Sequence, residues 1–308
     1  MEVEPITLPE SPVKPSKPFF ALVLSFVLPG VGQVYNGQLK KGILLFALLI
    51  FMVLFLGVSR LAATFHGLVS GLAFEIVLRL YAMIDAFVVA RKNRNQPQTF
   101  APGYVHLVVG IMLAIPLSLN AHWILRVRAF TIPSTSNEPT IKLGDQVIVD
   151  EMAYGDGAIG AGDLVAYKGS DGLFYISRII GTPGDRLDIN KDIPTINGKP
   201  FAVSVLSELS GDAYCPVPGT VVQLLQETLP TGYQHFAYRF KVPFDTTKTN
   251  IKGIVVPEGC YYLMSDNRDC SMDSRYKGFI KRSDILGPVI FCYWSKDITR
   301  ISRTFRYQ

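Results

Sequence analysis

Cysteine and histidine are both scarce in this 308-residue chain, with four of each, the cysteines being Cys215, Cys260, Cys270 and Cys292. No two cysteines form a CxxC pair and no His/Cys cluster has metal spacing, so no metal site is expected. The chain also lacks a basic cluster interleaved with aromatics, and its net charge is only +5, so nucleic acid is set aside as a partner. Residues 1–17 have little apolar content. Lys14 and Lys17 precede an apolar run with no small-residue cleavage site, so this end reads as a short cytoplasmic tail, not a cleavable signal. All four cysteines lie in the polar carboxy-terminal half. If that half lies outside the cytoplasm, one disulfide and buried free thiols are both open, with no pairing chosen.

Apolar residues make up 49% of the chain and mean hydropathy is +0.27, with most of the excess before residue 125. The first apolar segment, Phe19 to Val34, is broken by Pro29, Gly30, Gly32 and Gln33. A helix crossing the hydrocarbon core needs ~20 apolar residues, so this segment reads as re-entrant or interfacial. Its stretch LPGVGQVYNGQLKKG resembles the glycine-rich motif of small two-helix membrane modules. Three better spans follow: Ile43 to Val58, a segment within Leu61 to Val89, and Val105 to Leu125. Placing Lys40, Lys41, Arg91, Lys92 and Arg94 in the cytoplasm gives three crossings and an external polar half. Glu75 and Arg79, inside the second span, are four residues apart on one helical face and read as a neutralising pair.

From Gln146 onward the pattern changes to short alternating runs. Strands are predicted over Gln146 to Asp150, Leu164 to Tyr167, Phe174 to Ile180, Arg186 to Ile189, His235 to Val242, Ile254 to Val256, Tyr261 to Met264 and Val289 to Trp294. Asn197-Gly198 is a hairpin signal. The region from about 190 to 250 has weaker periodicity and reads as a cap inserted into the β domain.

The stretch IPSTSNEPTIKLGDQVIVD, Ile132 to Asp150, opens this half with Ser134 and Ser136 between Pro133 and Pro139. It reads as an exposed serine loop feeding a strand, and a Ser/Thr-rich turn of this kind is by itself ambiguous. A serine hydroxyl is a poor nucleophile at neutral pH and needs a base within hydrogen-bond reach and donors aimed at the oxyanion.

Two further stretches give the loop its context: GTPGDRLDI, Gly181 to Ile189, and MSDNRDCSMDSRYKGFI, Met264 to Ile280. In order and spacing the three resemble the sequence boxes of bacterial signal peptidase I, the membrane-anchored serine peptidase that removes signal peptides, over about residues 125 to 294. The resemblance implies amino-terminal transmembrane helices (18–125) after a tail (1–17), then a mainly β, extracytoplasmic catalytic domain (126–308) with its cap at about 190–250. It implies Ser136 as nucleophile and Ser134 as oxyanion donor, joined by the Ser136 main-chain amide. Ser271 would line the base site, with Asp273 and Arg275 as a supporting ion pair. Signal peptides of exported preproteins and membrane lipids are the implied partners, at the cytoplasmic membrane, with no cofactor.

The general base of that family is a lysine just before the Gly-X-Pro-Gly-Asp turn, and here that position is Ser177. Arg178 follows it but stays protonated. Lys142, Lys168, Lys252 and Lys281 fall elsewhere, and His235 lies in the cap. Thr135 stands where the family usually has glycine, and Asn137 where it usually has methionine. The resemblance therefore implies a signal peptidase I-like endopeptidase, with an alternative: a catalytically impaired relative that binds signal peptides or assists assembly without cleaving.

Overall fold

A computed structural model of the chain describes residues 17–94, 124–155, 159–210, 220–242 and 249–305. A helical unit and a mainly β unit meet in sequence between Leu125 and Arg126, and residues 63–65 group with the β unit.

The helical unit contains α1 (Pro18–Val27), α2 (Val31–Tyr35), α3 (Leu39–Val58) and α4 (Phe65–Lys92). Pro18 suits the first turn of α1, whose amide hydrogens have no helical partner. The first apolar segment breaks at Leu28-Pro29-Gly30, where Pro29 cannot continue a helical hydrogen-bond ladder and Gly30 takes a φ of 100°. Among the described residues α3 is the one helix long and apolar enough to cross a membrane, by length and composition. Helix α4 is longer, at 28 residues, but carries Glu75, Arg79 and Asp85. These charges are paired: Arg79 Nε donates to Glu75 at 2.6 Å, and Lys41 Nζ to Asp85 at 2.6 Å. Gln33, fully buried, adds Nε2 bonds to Asp85 at 3.0 Å and to the Ala82 carbonyl at 2.8 Å. The expected span Val105 to Leu125 lies outside the described residues except for its last two, as does most of the 1–17 tail.

The β unit opens with β1 (Val127–Thr131), β2 (Gln146–Asp150), β3 (Leu164–Lys168) and β4 (Phe174–Gly181). Next come β5 (Arg186–Asn190), β6 (Ile193–Ile196) and β7 (Lys199–Pro200). Then follow β8 (Ala202–Ser210), β9 (Val221–Thr228) and β10 (Gln234–Phe240). The last four are β11 (Asn250–Val255), β12 (Cys260–Met264), β13 (Ile280–Lys281) and β14 (Ile285–Trp294). A seven-stranded sheet has the order β1-β2-β14-β3-β4-β12-β13, a second sheet β11-β5-β6-β7, and a third β10-β9-β8.

Alternation sets which residues enter the core. Val147 and Val149 of β2 join Leu164, Ala166, Val289 and Ile141 in one apolar cluster, while Leu187, Ile189, Tyr262 and Met264 belong to another. The hairpin signal at Asn197-Gly198 is the β6–β7 turn, with both residues at positive φ, 51° and 79°, as a type I′ turn requires. Two expected boundaries shift. The predicted strand at Ile254 to Val256 extends back to Asn250 across a bulge between Ile251 and Ile254, and the one at Val289 extends back to Ile285 through Gly287 and Pro288, where the register also slips. Bulges break the two-residue period that the sequence pattern relies on. Strand β1 was not among the expected strands.

Gly287 has a packing reason: a Cβ there would lie 1.9 Å from the Asp150 carbonyl oxygen of β2. Gly287→Ala should force β14 from β2 and destabilise the protein by about 1–3 kcal/mol, read as a lowered thermal midpoint. An unchanged midpoint would mean that the two strands do not approach this closely.

Candidate active site

The loop after β1 is pinned at its base by two main-chain bonds between Ile132 and the Gly144-Asp145 turn, 2.9 and 2.8 Å. Asp145 is buried and takes Nη2 of Arg300 at 2.6 Å, Ser295 Oγ at 2.7 Å and the Lys142 amide at 2.9 Å. Burial pushes its carboxyl up, but the Arg300 bonds and the other donors outweigh it and hold the group below the usual carboxylate range. On this base stand Ser134, exposed, and Ser136, half-buried, with hydroxyls 3.0 Å apart. Ser136 Oγ also accepts from Asn137 Nδ2 at 3.4 Å. Among the described residues the Ser136 main-chain N–H has no hydrogen-bond partner.

Strand β4 brings residue 177 alongside. The Ile176 carbonyl accepts from Asn137 Nδ2 at 2.7 Å and from Ser177 Oγ at 2.8 Å, so one peptide oxygen joins the serine loop to the expected base strand. Ser177 is 2% exposed. Its Oγ lies 2.9 Å from Ser265 Oγ, with the Tyr167 hydroxyl as a further neighbour. Burial pushes the Tyr167 phenol up to about 12, so it stays a donor. The one proton of Ser177 goes to the Ile176 carbonyl, and Ser265 is its side-chain partner. Among the described residues Ser177 makes no direct hydrogen bond to Ser136, and a neutral hydroxyl is too weak a base to take its proton.

Among the described residues no other side chain fills that role. Lys142, Lys168, Lys252 and Lys281 are exposed, and Ser136 Oγ bonds only Ser134 and Asn137 among the described residues. His235 is buried between Glu227, 3.4 Å from Nε2, and Asp266, 3.9 Å from Nδ1.

The third stretch closes the site from behind. Asp273 accepts from the Ser265 amide at 2.9 Å, from Ser271 Oγ at 3.3 Å and from Arg275 Nη2 at 2.8 Å. Arg275 Nη1 continues to Asp192 at 2.6 Å. Ser271, Asp273 and Arg275 are thus brought together. On the far face of β4 from Ser177, Arg178 makes a bidentate pair with Asp266, Nε at 2.8 Å and Nη2 at 2.5 Å, and both are buried. Asn267, between Asp266 and Arg268, donates its amide to the Ser136 carbonyl at 3.0 Å and its side chain to the Thr135 carbonyl at 3.1 Å. Cys270 is disulfide-bonded, Cys260 and Cys292 are free thiols, and Cys215 lies outside the described residues.

A paired-serine loop tied to an Asp/Asn/Arg turn and to β4 joins two of the stretches that carry the resemblance, Ile132 to Asp150 and Met264 to Ile280. The family model for signal peptidase, peptidase S26, matches residues 104–294. The chain belongs to this family. It is 31% identical over 172 residues to signal peptidase IB of Staphylococcus aureus (strain Mu50), covering 54% of this chain and 78% of that one. Signal peptidase I of Bacillus caldolyticus is 32% identical over 165 residues, with the same coverages of 54% and 78%. Among solved structures a signal peptidase I from Enterococcus faecalis V583 is 27% identical, covers 42% of this chain and 96% of that one, and superposes with a TM-score of 0.24. At family level the chain is therefore a serine peptidase of signal peptide removal.

Sequence reasoning missed Asn137's bridge, Tyr167, Asp192 and Ser265. Asn137 alone carried a signal, as a polar residue where the resemblance expects an apolar one.

Burial, then the Arg178 guanidinium, pushes the His235 imidazole from its ordinary 6.5 down to about 3. It is therefore neutral in the fold while the unfolded chain binds a proton below pH 6.5, so stability is full above 6.5 and declines as pH falls toward 3. The expected slope is about 1.4 kcal/mol per pH unit. Thermal midpoints from pH 6.5 to 4.5 should fall steadily in the wild type and less in His235→Gln; parallel curves would show that His235 takes up its proton freely in the fold.

Proposed function

We propose that this chain is a membrane-anchored serine endopeptidase of signal peptidase I type, removing signal peptides from exported preproteins at the membrane surface. The observation that supports it best is the hydroxyl pair, Ser134 and Ser136 at 3.0 Å, beside a Ser136 amide with no partner among the described residues. In this reading Ser136 Oγ attacks the scissile carbonyl, its proton passes to an acceptor, and the leaving amine departs as an acyl-enzyme forms. The Ser136 N–H and Ser134 Oγ stabilise the oxyanion. Ser271, Asp273 and Arg275 keep the wall behind residue 177 rigid. Water then releases the acyl group.

Among the described residues no strong base bonds Ser136 Oγ, and that favours a second reading in which the chain binds signal peptides or assists assembly with little turnover. Hydrogen-bonding of Ser177 to Ile176 and Ser265 is the specific observation behind it.

The proposed topology has the 1–17 tail in the cytoplasm, a multi-pass 18–125 membrane domain of about three crossings plus the broken first segment, and the 126–308 domain outside, with the 190–250 region as its cap. Lys40, Lys41, Arg91, Lys92 and Arg94 support it through the positive-inside bias. A reporter fused to the carboxyl terminus should be active only outside the cytoplasm. Cytoplasmic activity alone would sink the topology.

The decisive experiment is cleavage of a model preprotein by the purified protein in detergent. Wild type should cleave slowly and Ser136→Ala not at all. Ser177→Lys by itself drives a four-carbon chain into the Ser265 hydroxyl, so the gain is expected in Ser177→Lys/Ser265→Ala, on the order of 10²–10⁴-fold. Rapid wild-type cleavage that survives Ser136→Ala would refute the nucleophile assignment, and a silent double variant with intact peptide binding would favour the second reading.

A further inference from the structure

Asn137 is 2% exposed, yet its carboxamide Oδ1 is buried with no hydrogen-bond partner. Turning the amide over does not help, because Oδ1 would then face the Ile176 carbonyl oxygen that Nδ2 now bonds at 2.7 Å. A buried orphan acceptor is a penalty that an apolar residue of the same branching, such as leucine, does not carry. What the asparagine gains is its second N–H, which reaches Ser136 Oγ at 3.4 Å. The two donors on one nitrogen make a bridge from the Ser136 hydroxyl to the backbone of β4. A stability cost retained beside a nucleophile needs a functional reason.

We propose that Asn137 is a positioning residue for acyl transfer at Ser136. The inference rests on the reading of Ser136 as nucleophile and adds a role for the residue after it. Because Nδ2 is anchored on Ile176, the N–H toward Ser136 is fixed in direction, and Oγ is held as an acceptor. Its own proton is then turned away from Asn137, toward Ser134 or toward the group that takes it during attack. This side chain limits the Ser136 rotamer. Misplacing a reacting atom by ~1 Å costs about 10²-fold in rate.

The test compares two ligands on the full chain in detergent: a signal-sequence peptide ending at the scissile residue in a boronic acid, and the same peptide as a plain carboxylic acid. The boronate adds Ser136 Oγ to boron and mimics the tetrahedral intermediate, whereas the acid reports binding alone. In the wild type the boronate should bind more tightly than the acid. Asn137→Leu should leave the acid's affinity unchanged, reduce the boronate preference about tenfold or more, and leave the thermal midpoint equal or higher. Asn137→Ala, which removes the bridge without adding bulk, should lose the same preference. The inference is overturned if Asn137→Leu keeps the preference, if both affinities fall together with the midpoint, or if the wild type shows no preference. Preprotein cleavage lost in Ser136→Ala but unchanged in Asn137→Leu would remove the positioning role and leave the proposed function standing.

Discussion

The ion pair between Arg178 and Asp266 fixes the segment on which the rest of the site depends. Both side chains are buried, and the bidentate geometry holds the turn after β12 against β4. Burial pushes the Asp266 carboxyl up, yet Arg178 wins and brings it to about 2, so the pair stays charged at any ordinary pH. Such a pair is weak evidence for stability, because desolvating two ions offsets much of their attraction, but breaking one partner leaves a buried charge at a cost of about 3–5 kcal/mol. Its value here is register: with Asp266 held, Ser265 falls beside Ser177 and Asn267 beside Ser136.

From that segment, bonds run in two further directions. Tyr238 of β10 donates its amide to the Asp266 carbonyl and accepts from the Arg268 amide, both at 2.8 Å, which joins the three-stranded sheet to the turn. Arg268 reaches Glu227 of β9 and so adds a charged contact to the same sheet. On the opposite side, Asn267 holds the serine loop through two carbonyls. The three-stranded sheet and the serine loop thus both bond to one stretch, residues 266–268.

The chemistry divides along β4. On one face Arg178 serves structure, and on the other Ser177 and Ser265 bond one another. In the proposed reading, where an amine would be held neutral by burial and used as a base, this chain has neutral hydroxyls, which are too weakly basic to accept a proton at neutral pH. Nucleophile geometry and base chemistry are separable in that reading. The first rests on the loop and Asn267, the second on one position of one strand.

Much of this was legible in the sequence. The two-residue period from Gln146 onward located seven later strands to within a few residues, Asn197-Gly198 marked its turn because only positive-φ residues close a two-residue hairpin, and the three motif stretches pointed to the family to which the chain belongs. Those signals are local, set by backbone conformation and by spacing along the chain. Only the tertiary structure decided which groups meet. Asn137 and Ile176 are 39 residues apart and Ser177 and Ser265 are 88 apart, and no period or turn rule links them. The bulges that reset β11 and β14 were likewise invisible, since they arise where strands with fixed neighbours must share one twist. The sequence by itself determined the strand that carries residue 177 and the serine there; that this hydroxyl bonds Ser265, and that Asn137 ties the Ser136 hydroxyl to the Ile176 carbonyl, followed from burial, which leaves each polar atom only the partners that packing brings within reach.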